Sequence, residues 1–596
     1  MPEDIIAVAA SKQGESSSFS SLISDSPLLP LSLLLGIVVG CGVLSRYHQK
    51  GKVATARSAK AAEKNAAARL AEQQLKARIY NEITLYAGTP VEPLLGMGRR
   101  RTLWVPNAQE GIAVCGGPGK GKSFSVIDPL IRSAIDQRHP TIVYDFKGEQ
   151  LRRHAAYAAQ RGYQVYVFAP GKPWSGVINP IDLVKAADDP AIMSKQLAQV
   201  FNLNTHGLGS GGQKNEYFAD ASNLLIQTLL LMSKDTPFPD LLMSWSILSL
   251  PNLAKRMLLA VEQQWIDIWT EVSATSLTSI AEAEVTVGGV ISTAVNTMAP
   301  LISRQFVSCL CGETTIPLEM TGKTLLFFQL DQMTRDVVAP LLASILHLVV
   351  LKNLSKRRNE PLVLAMDEFP TIFLPDIVKW INEYRENGLV TILGFQNYSQ
   401  LEYKYGRELS RAILGACATK FIFNPQDVNT AEEYSRFCGE EDVVLNTRSQ
   451  SYGRSSGYSH SEQYHRRPLY SARDILTLPK GWSIFINPAY ASRQEAALPW
   501  LLRAQIPKRD QQAEAKSKEL WDRKVCQRLI ERASKLQIPL DEELLRAELV
   551  NRKQFANYTL LPGALGAEYV GTEEDEVEQE MEQQDQEQAP QVAESA

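Results

Sequence analysis

Cysteine is scarce in this chain. The seven in 596 residues (Cys41, Cys115, Cys309, Cys311, Cys417, Cys438 and Cys526) are odd in number and lack paired spacing. That excludes a disulfide framework of the secreted kind, and a zinc site of the usual ligand spacing. The cysteines read as reduced, cytoplasmic and mostly buried; the one close pair, Cys309-Leu-Cys311, has no histidine near it to complete a metal site. Charge of one sign is not in excess either, with 62 Lys and Arg against 66 Asp and Glu. The even balance hides an asymmetry, because beyond Lys553 there are eleven acids and no basic residue. The remainder therefore sets 62 basic residues against 55 acidic ones, which suits an anionic polymer as partner and equally a solvated tail that binds nothing.

Long apolar runs are also few. Pro27 to Leu44 carries no charge over 18 residues, and as a helix it spans roughly 27 Å at 1.5 Å per residue, near the hydrocarbon thickness of a bilayer. Glu3, Asp4, Glu15 and Asp25 precede it with Lys12 as the one base, whereas Arg46, Lys50, Lys52, Arg57 and Lys60 follow. The basic flank faces the cytoplasm, so residues 1–26 are expected on the periplasmic side and the rest inside. No basic region precedes the run and no small-residue cleavage site closes it, which disfavours a removed signal peptide. Leu341 to Val350 is shorter, contains His347 and reads as an internal helix.

What is present is a phosphate-binding signature. Gly116, Gly117, Pro118, Gly119, Lys120, Gly121, Lys122 and Ser123 fit G-x-x-x-x-G-K-S/T, with Phe124 next, directly after the apolar strand Ile112 to Val114. Glycines let successive backbone N–H groups turn toward a phosphate; Lys122 reaches the β- and γ-phosphates and the Ser123 hydroxyl is a Mg²⁺ ligand. The helix expected to begin near Ser123 adds its positive end. A second element completes the site: Pro361-Leu-Val-Leu-Ala-Met366 is an unbroken apolar run ending in Asp367-Glu368. Such a run suits a strand buried on both faces. Its end delivers Asp367 to the Mg²⁺ shell and Glu368 to the water that attacks the γ-phosphate.

Other strand-like runs are Thr102–Val105, Thr141–Tyr144, Gln164–Phe168, Thr324–Gln329, Val390–Phe395 and Lys420–Phe423, several joined by helical patterns. That is the sign of an open, mostly parallel α/β sheet. From the strand at 141 the chain runs into Asp145, Lys147 and Glu149, either a charged turn or groups that read nucleotide or a neighbouring subunit. Gln396, just past the strand ending at Phe395, is placed to sense the γ-phosphate or position water. Arg385 is a candidate finger from one subunit into the next, or a surface arginine. Residues 188–304 read as an all-α insertion entered through a Gly/Ser-rich loop, His206 to Gly212. Residues 45–86 read as a juxtamembrane helical stalk, 87–187 with 305–505 as the nucleotide-binding domain, 506–560 as a C-terminal helical region and 561–596 as an acidic disordered tail. The Ser, Tyr, Gly and Arg tract from Asn446 to Arg467 is either a hairpin or a disordered loop, with DNA contact open to it.

The order of GGPGKGKS, YDFKGE, INPID (Ile178 to Asp182), MDEFPTI, YRENGLVTILGFQNYSQL and CATKFIFNPQDVNTAEEYSRFCG resembles the coupling ATPases of type IV secretion and conjugation, the TraG/TraD type, over about residues 85–505. The resemblance implies a RecA-like P-loop ATPase with an all-α domain, assembled as a homohexamer at the bacterial inner membrane. It implies ATP and Mg²⁺ as cofactors, and single-stranded DNA, its relaxase or relaxosome and the secretion channel subunits as partners. On matched positions Lys122, Ser123, Asp367, Glu368 and Gln396 take the nucleotide roles, with Arg385 as the finger. Such proteins usually have two membrane helices around a periplasmic loop, whereas one is visible here. Protein effectors as cargo, an FtsK/HerA-like DNA pump and a nucleotide-switched tether are the competing readings.

Overall fold

The computed structural model describes residues 56–92, 102–206, 213–451, 457–536 and 541–563. The expected membrane helix, nearly all of the Gly/Ser-rich loop and nearly all of the acidic tail lie outside these residues. The strands are β1 Leu85–Tyr86, β2 Thr89–Val91, β3 Trp104–Val105, β4 Ile112–Cys115, β5 Thr141–Asp145, β6 Gln164–Phe168, β7 Thr324–Gln329, β8 Leu362–Met366, β9 Leu389–Phe395, β10 Thr419–Ile422, β11 Glu440–Ser451, β12 Gly457–Pro468, β13 Trp482–Ile486 and β14 Trp500–Gln505. Ten of them form one sheet in the order β2-β14-β13-β10-β4-β9-β8-β5-β7-β6. From β10 to β6 all neighbours run parallel, while β13, β14 and β2 extend the sheet antiparallel. The parallel core agrees with the pattern of alternating strands and helices. The antiparallel extension has no counterpart in the sequence reading, and β3, expected with the main sheet, pairs with β1 instead.

Every residue of β4, β5, β7, β8, β9 and β10 is buried, which is why these strands read as continuous Val, Ile, Leu and Phe runs rather than alternating ones. Phe327, Phe328, Phe421 and Phe485 are among the largest side chains sealed in this core, each contributing about 2–3 kcal/mol by burial. Order matters more than number here. Because β9 lies between β4 and β8, the chain leaving β9 emerges between the phosphate loop and Asp367-Glu368.

Between β6 and β7 the described chain forms eight α-helices, from Pro180–Lys185 to Arg304–Leu310, a span slightly wider than expected. The helix Arg335–Leu354 has a nearly continuous buried surface. It is apolar enough to cross a bilayer by composition, yet it serves as a core helix. His347 at its centre lies 3.2 Å from Gln196 on the helix Pro190–His206. Among the described residues of the segment expected as a stalk, 56–86, the helix is Ala61–Ala77. There Ala67 and Ala71 are fully buried and the Lys64 ammonium sits 4.2 Å over the Trp500 ring, so this helix is packed rather than projecting.

The C-terminal helices dock in two places. Lys508–Leu520 lies along Glu149–Ala159, tied by Arg132 to Glu514 at 2.6 Å and by Tyr157 N–H to Ser517 Oγ at 3.2 Å. Glu542–Phe555 closes on the helical region, where Arg552 donates to both oxygens of Asp240 at 3.1 and 2.6 Å. Tyr434–Ser471, with Ala56 and Arg57, forms a separate compact unit. Within it β11 and β12 pair antiparallel from Glu440–Pro468 to Ser451–Gly457, the hairpin alternative of the sequence reading.

Candidate functional site

The phosphate loop is pinned at its start by the strands beside it. Gly116 N–H donates to Phe395 O at 3.1 Å and Gly117 N–H to Asn424 O at 2.9 Å. A Cβ on Gly117 would come within 2.4 Å of Gln426 Oε1, so a side chain there would have to push the Gln426 side chain aside. Gly119 and Gly121 adopt φ of +72° and +100°, the left-handed region that favours glycine. Lys120 O accepts from Gly481 N–H at 2.9 Å, which ties the loop to the segment after the hairpin. The helix then opens at Ser123 with one wide π turn to Ile127 and continues as α-helix to Asp136. Ser123 and Phe124 of its first turn border a cavity of about 350 Å³, and a helix start at a cavity suits a phosphate.

Opposite the loop stands the end of β8. The Ser123 hydroxyl lies 2.7 and 2.8 Å from the two oxygens of Asp367, and Gln150 Nε2 donates to Asp367 Oδ2 at 3.1 Å. Burial raises the Asp367 carboxyl above its ordinary range, against the Lys122 ammonium and the hydrogen bonds from Ser123 and Gln150. Burial likewise pushes Asp145 up to about 6, against the N–H groups of Leu151 and Lys147 that its carboxylate accepts. The desolvated Asp367 carboxyl and the Ser123 hydroxyl, side by side at one end of a phosphate cradle, are oxygen donors of the kind Mg²⁺ takes beside phosphates.

Glu368 sits one residue further, in a polar clamp. Gln396 Nε2 donates to its Oε1 at 2.8 Å, Gln400 Nε2 to the same oxygen at 3.3 Å, and Lys122 Nζ is 3.6 Å from its Oε2. Asn397 caps the helix that begins at Tyr398 by accepting from Gln400 N–H at 2.9 Å. That cap holds Gln400 one turn from Gln396, so both amides meet a single carboxylate.

The model of the type IV secretory system conjugative DNA transfer family matches residues 59–519. The chain belongs to that family. A stretch of 160 residues is 28% identical to the coupling protein TraD of Escherichia coli (strain K12), covering 26% of this chain and 22% of TraD. This family member thus spans about a fifth of that relative's length. Among solved structures it resembles the plasmid coupling protein TrwB in complex with ADP and Mg²⁺ (TM-score 0.50, 15% identity, 71% of this chain and 94% of that one). It resembles TrwB with a non-hydrolysable ATP analogue equally, at TM-score 0.50 and 16% identity over the same shares of 71% and 94%. At these identities the likeness is one of fold.

Of the residues singled out from sequence in this conjugative-transfer chain, Gly116, Gly117, Pro118, Gly119, Gly121, Lys122, Ser123, Phe124, Asp367, Glu368 and Gln396 all border the one cavity. Lys120 does not; it contributes its carbonyl. Arg385 is exposed on the turn that enters β9, whereas Gln396 leaves the other end of that strand. Seven residues of strand separate these ends by about 23 Å at 3.3 Å per residue, so Arg385 is not brought to the pocket of its own chain. At its own end it faces Glu110, whose carboxyl burial raises and the guanidinium lowers.

Asp145, Lys147 and Glu149 border the cavity too, which selects the crevice reading over the isolated turn. Gln150, Arg153, Gln400 and Lys480 were not foreseen. Gln400 could have been found from its place one helical turn beyond Gln396, and Arg153 from its place one turn beyond Glu149. Lys480 borders the cavity from a loop 358 residues after Lys122, and no local signal marks it.

Proposed function

We propose that this chain is a coupling ATPase that hydrolyses ATP to drive single-stranded DNA, with its attached relaxase, toward a type IV secretion channel. The observation that carries the reading is the convergence of Ser123 on Asp367 and of Lys122, Gln396 and Gln400 on Glu368, in a member of a conjugative DNA transfer family.

ATP and Mg²⁺ fit the cradle: the loop N–H groups and Lys122 would hold the phosphates, and Ser123 and Asp367 the cation. Bound Mg²⁺ supplies neutralisation of charge on the transferring phosphoryl group. The chain's own residues supply the rest. Lys122 and Glu368 neutralise one another in the structure, and an incoming phosphate competes for the lysine, which frees a Glu368 oxygen to take the proton of the attacking water. Gln396 and Gln400 keep that carboxylate aimed by donating to its other oxygen. Arg385, remote from its own pocket, serves that of an adjacent copy, which supports a homohexameric ring. Pro27–Leu44 anchors the chain once in the inner membrane, with the ATPase on the cytoplasmic side.

The test is steady-state ATPase activity of the full chain in detergent with single-stranded, duplex and junction DNA. Single-stranded DNA should stimulate turnover at low salt, and rising salt should weaken the effect as phosphate contacts are screened. Glu368→Gln should still bind ATP while turnover falls by about 10²–10⁴-fold. Absence of stimulation by any DNA at low salt refutes the motor.

A further inference from the structure

Gln150 is buried at 2% exposure, in the first turn of the helix Glu149–Ala159. Asp145 fixes that turn by accepting from the N–H groups of Lys147 and Leu151 at 3.2 and 2.8 Å. The amide of Gln150 then bridges two groups of opposite need: its Nε2 lies 3.1 Å from Asp367 Oδ2 and its Oε1 3.1 Å from His154 Nε2. A carboxylate accepts only, so the amide nitrogen must face Asp367 and the carbonyl must face His154. That orientation requires the proton of His154 on Nε2.

A carboxylate stands near the same ring nitrogen. His154 is fully buried and its Nε2 is also 3.6 Å from Asp128 Oδ1. Asp128, on the helix that follows the phosphate loop, accepts from Arg153 Nη1 at 2.7 Å. Arg153 Nε approaches Glu514 Oε1 at 3.5 Å, and Arg132 Nη2 donates to Glu514 Oε2 at 2.6 Å. The chain of contacts runs from Asp367 to Glu514 on the helix Lys508–Leu520. None of the groups from Gln150 to Glu514 is explained by packing alone, because an apolar core of the same volume would avoid the cost of burying them.

We infer that Gln150, oriented by His154, is a positioning residue for Asp367, holding one carboxylate oxygen so that the other and the Ser123 hydroxyl meet the cation together. The inference rests on the nucleotide-site reading above. In the absence of Gln150 the buried carboxylate keeps the Ser123 hydroxyl and the Lys122 charge but loses the amide that fixes Oδ2, so it can turn about the hydroxyl and its oxygens are no longer set for the cation. Partners behind metal-holding groups typically contribute 10–100-fold in metal affinity.

The experiment titrates Mg²⁺ against the full chain with a fluorescent ADP analogue and repeats the nucleotide titration in EDTA, for the natural chain and for Gln150→Met, which keeps the volume and removes the donor. The Mg²⁺ concentration for half-maximal binding should rise about tenfold, with the affinity in EDTA unchanged. Gln150→Asn, which stays polar but falls one methylene short, should give a shift of the same sign and serves if the methionine variant fails to fold. An unchanged Mg²⁺ requirement overturns the inference, and so does an equal loss with and without Mg²⁺, which would mark Gln150 as a packing residue only. Failure of the natural chain to bind the analogue in either condition would instead sink the nucleotide-site reading, and this inference with it.

Discussion

Gly394 offers a sharp test of how the sheet places the acids. It pairs with Val114 of β4, in the strand squeezed between β4 and β8. A Cβ there would stand 2.3 Å from the carbonyl oxygen of Asp367 and 2.8 Å from Ile127 Cδ1. Carbon and oxygen that touch without a bond rest at about 3.3 Å or more, so Gly394→Ala demands a separation of roughly 1 Å. The obstacle on one side is the Asp367 backbone, which cannot rotate away; on the other it is the terminal methyl of Ile127, which is fully buried on the phosphate-loop helix and can move only by repacking its surroundings. Overpacking of this kind costs about 1–3 kcal/mol, and the upper end is expected here. The displaced carbonyl belongs to Asp367 itself, so both acids shift with it, and a misplacement of about 1 Å costs on the order of 10²-fold in rate. Urea unfolding and steady-state ATPase assays measure the two effects. Gly288→Ala is the control, since nothing lies within 4 Å of the new methyl on its helix; it should add up to about 1 kcal/mol and leave turnover unchanged. A Gly394→Ala chain with normal stability and normal turnover would refute the argument.

Two further outcomes follow from buried charge. Arg552→Ala strands the Asp240 carboxylate, which is 3% exposed and also caps the helix Leu241–Leu248; a loss of about 3–5 kcal/mol and early proteolytic cleavage within 541–563 are expected, and unchanged protease resistance would contradict this. His347 is held neutral, its pKa lowered to about 3 by burial and then by the Lys379 ammonium. Its folded value lies below the unfolded one of about 6.5, so the unfolded chain takes up the proton first. The stability it permits is full above about pH 6.5 and falls by about 1.4 kcal/mol per pH unit toward pH 3. His347→Gln should therefore shrink the loss between pH 7 and pH 5 by about 2 kcal/mol, read from urea midpoints; identical pH dependence in the two chains would exclude it.

How much of this was legible depended on how locally each signal is written. β7 and β8 coincide with their apolar runs because strands sealed on both faces admit little else. The phosphate loop and the acids after β8 are likewise confined to a few consecutive residues. The outermost strand of the antiparallel extension, β2, was hidden because Thr89 to Val91 finds its partner at Arg503 to Gln505, four hundred residues away, and a three-residue edge has no periodicity to detect. Gln150 was overlooked for a similar reason. Its meaning comes from Asp367, which lies 217 positions later, while its immediate neighbours Asp145, Lys147 and Glu149 attract attention by charge. Arg385 shows the converse: its motif is plain in the sequence, and only the strand between it and Gln396 shows that its own pocket is out of reach.

The carboxyl-terminal stretch behaves as a two-prong buckle, with Glu514 seated on the nucleotide half and Arg552 on the helical lobe. Shortening the chain to residue 540 would spring the second prong and leave the first fastened, whereas a cut before Lys508 would free both. A fusion or tag meant to leave the two lobes clasped therefore belongs after residue 563.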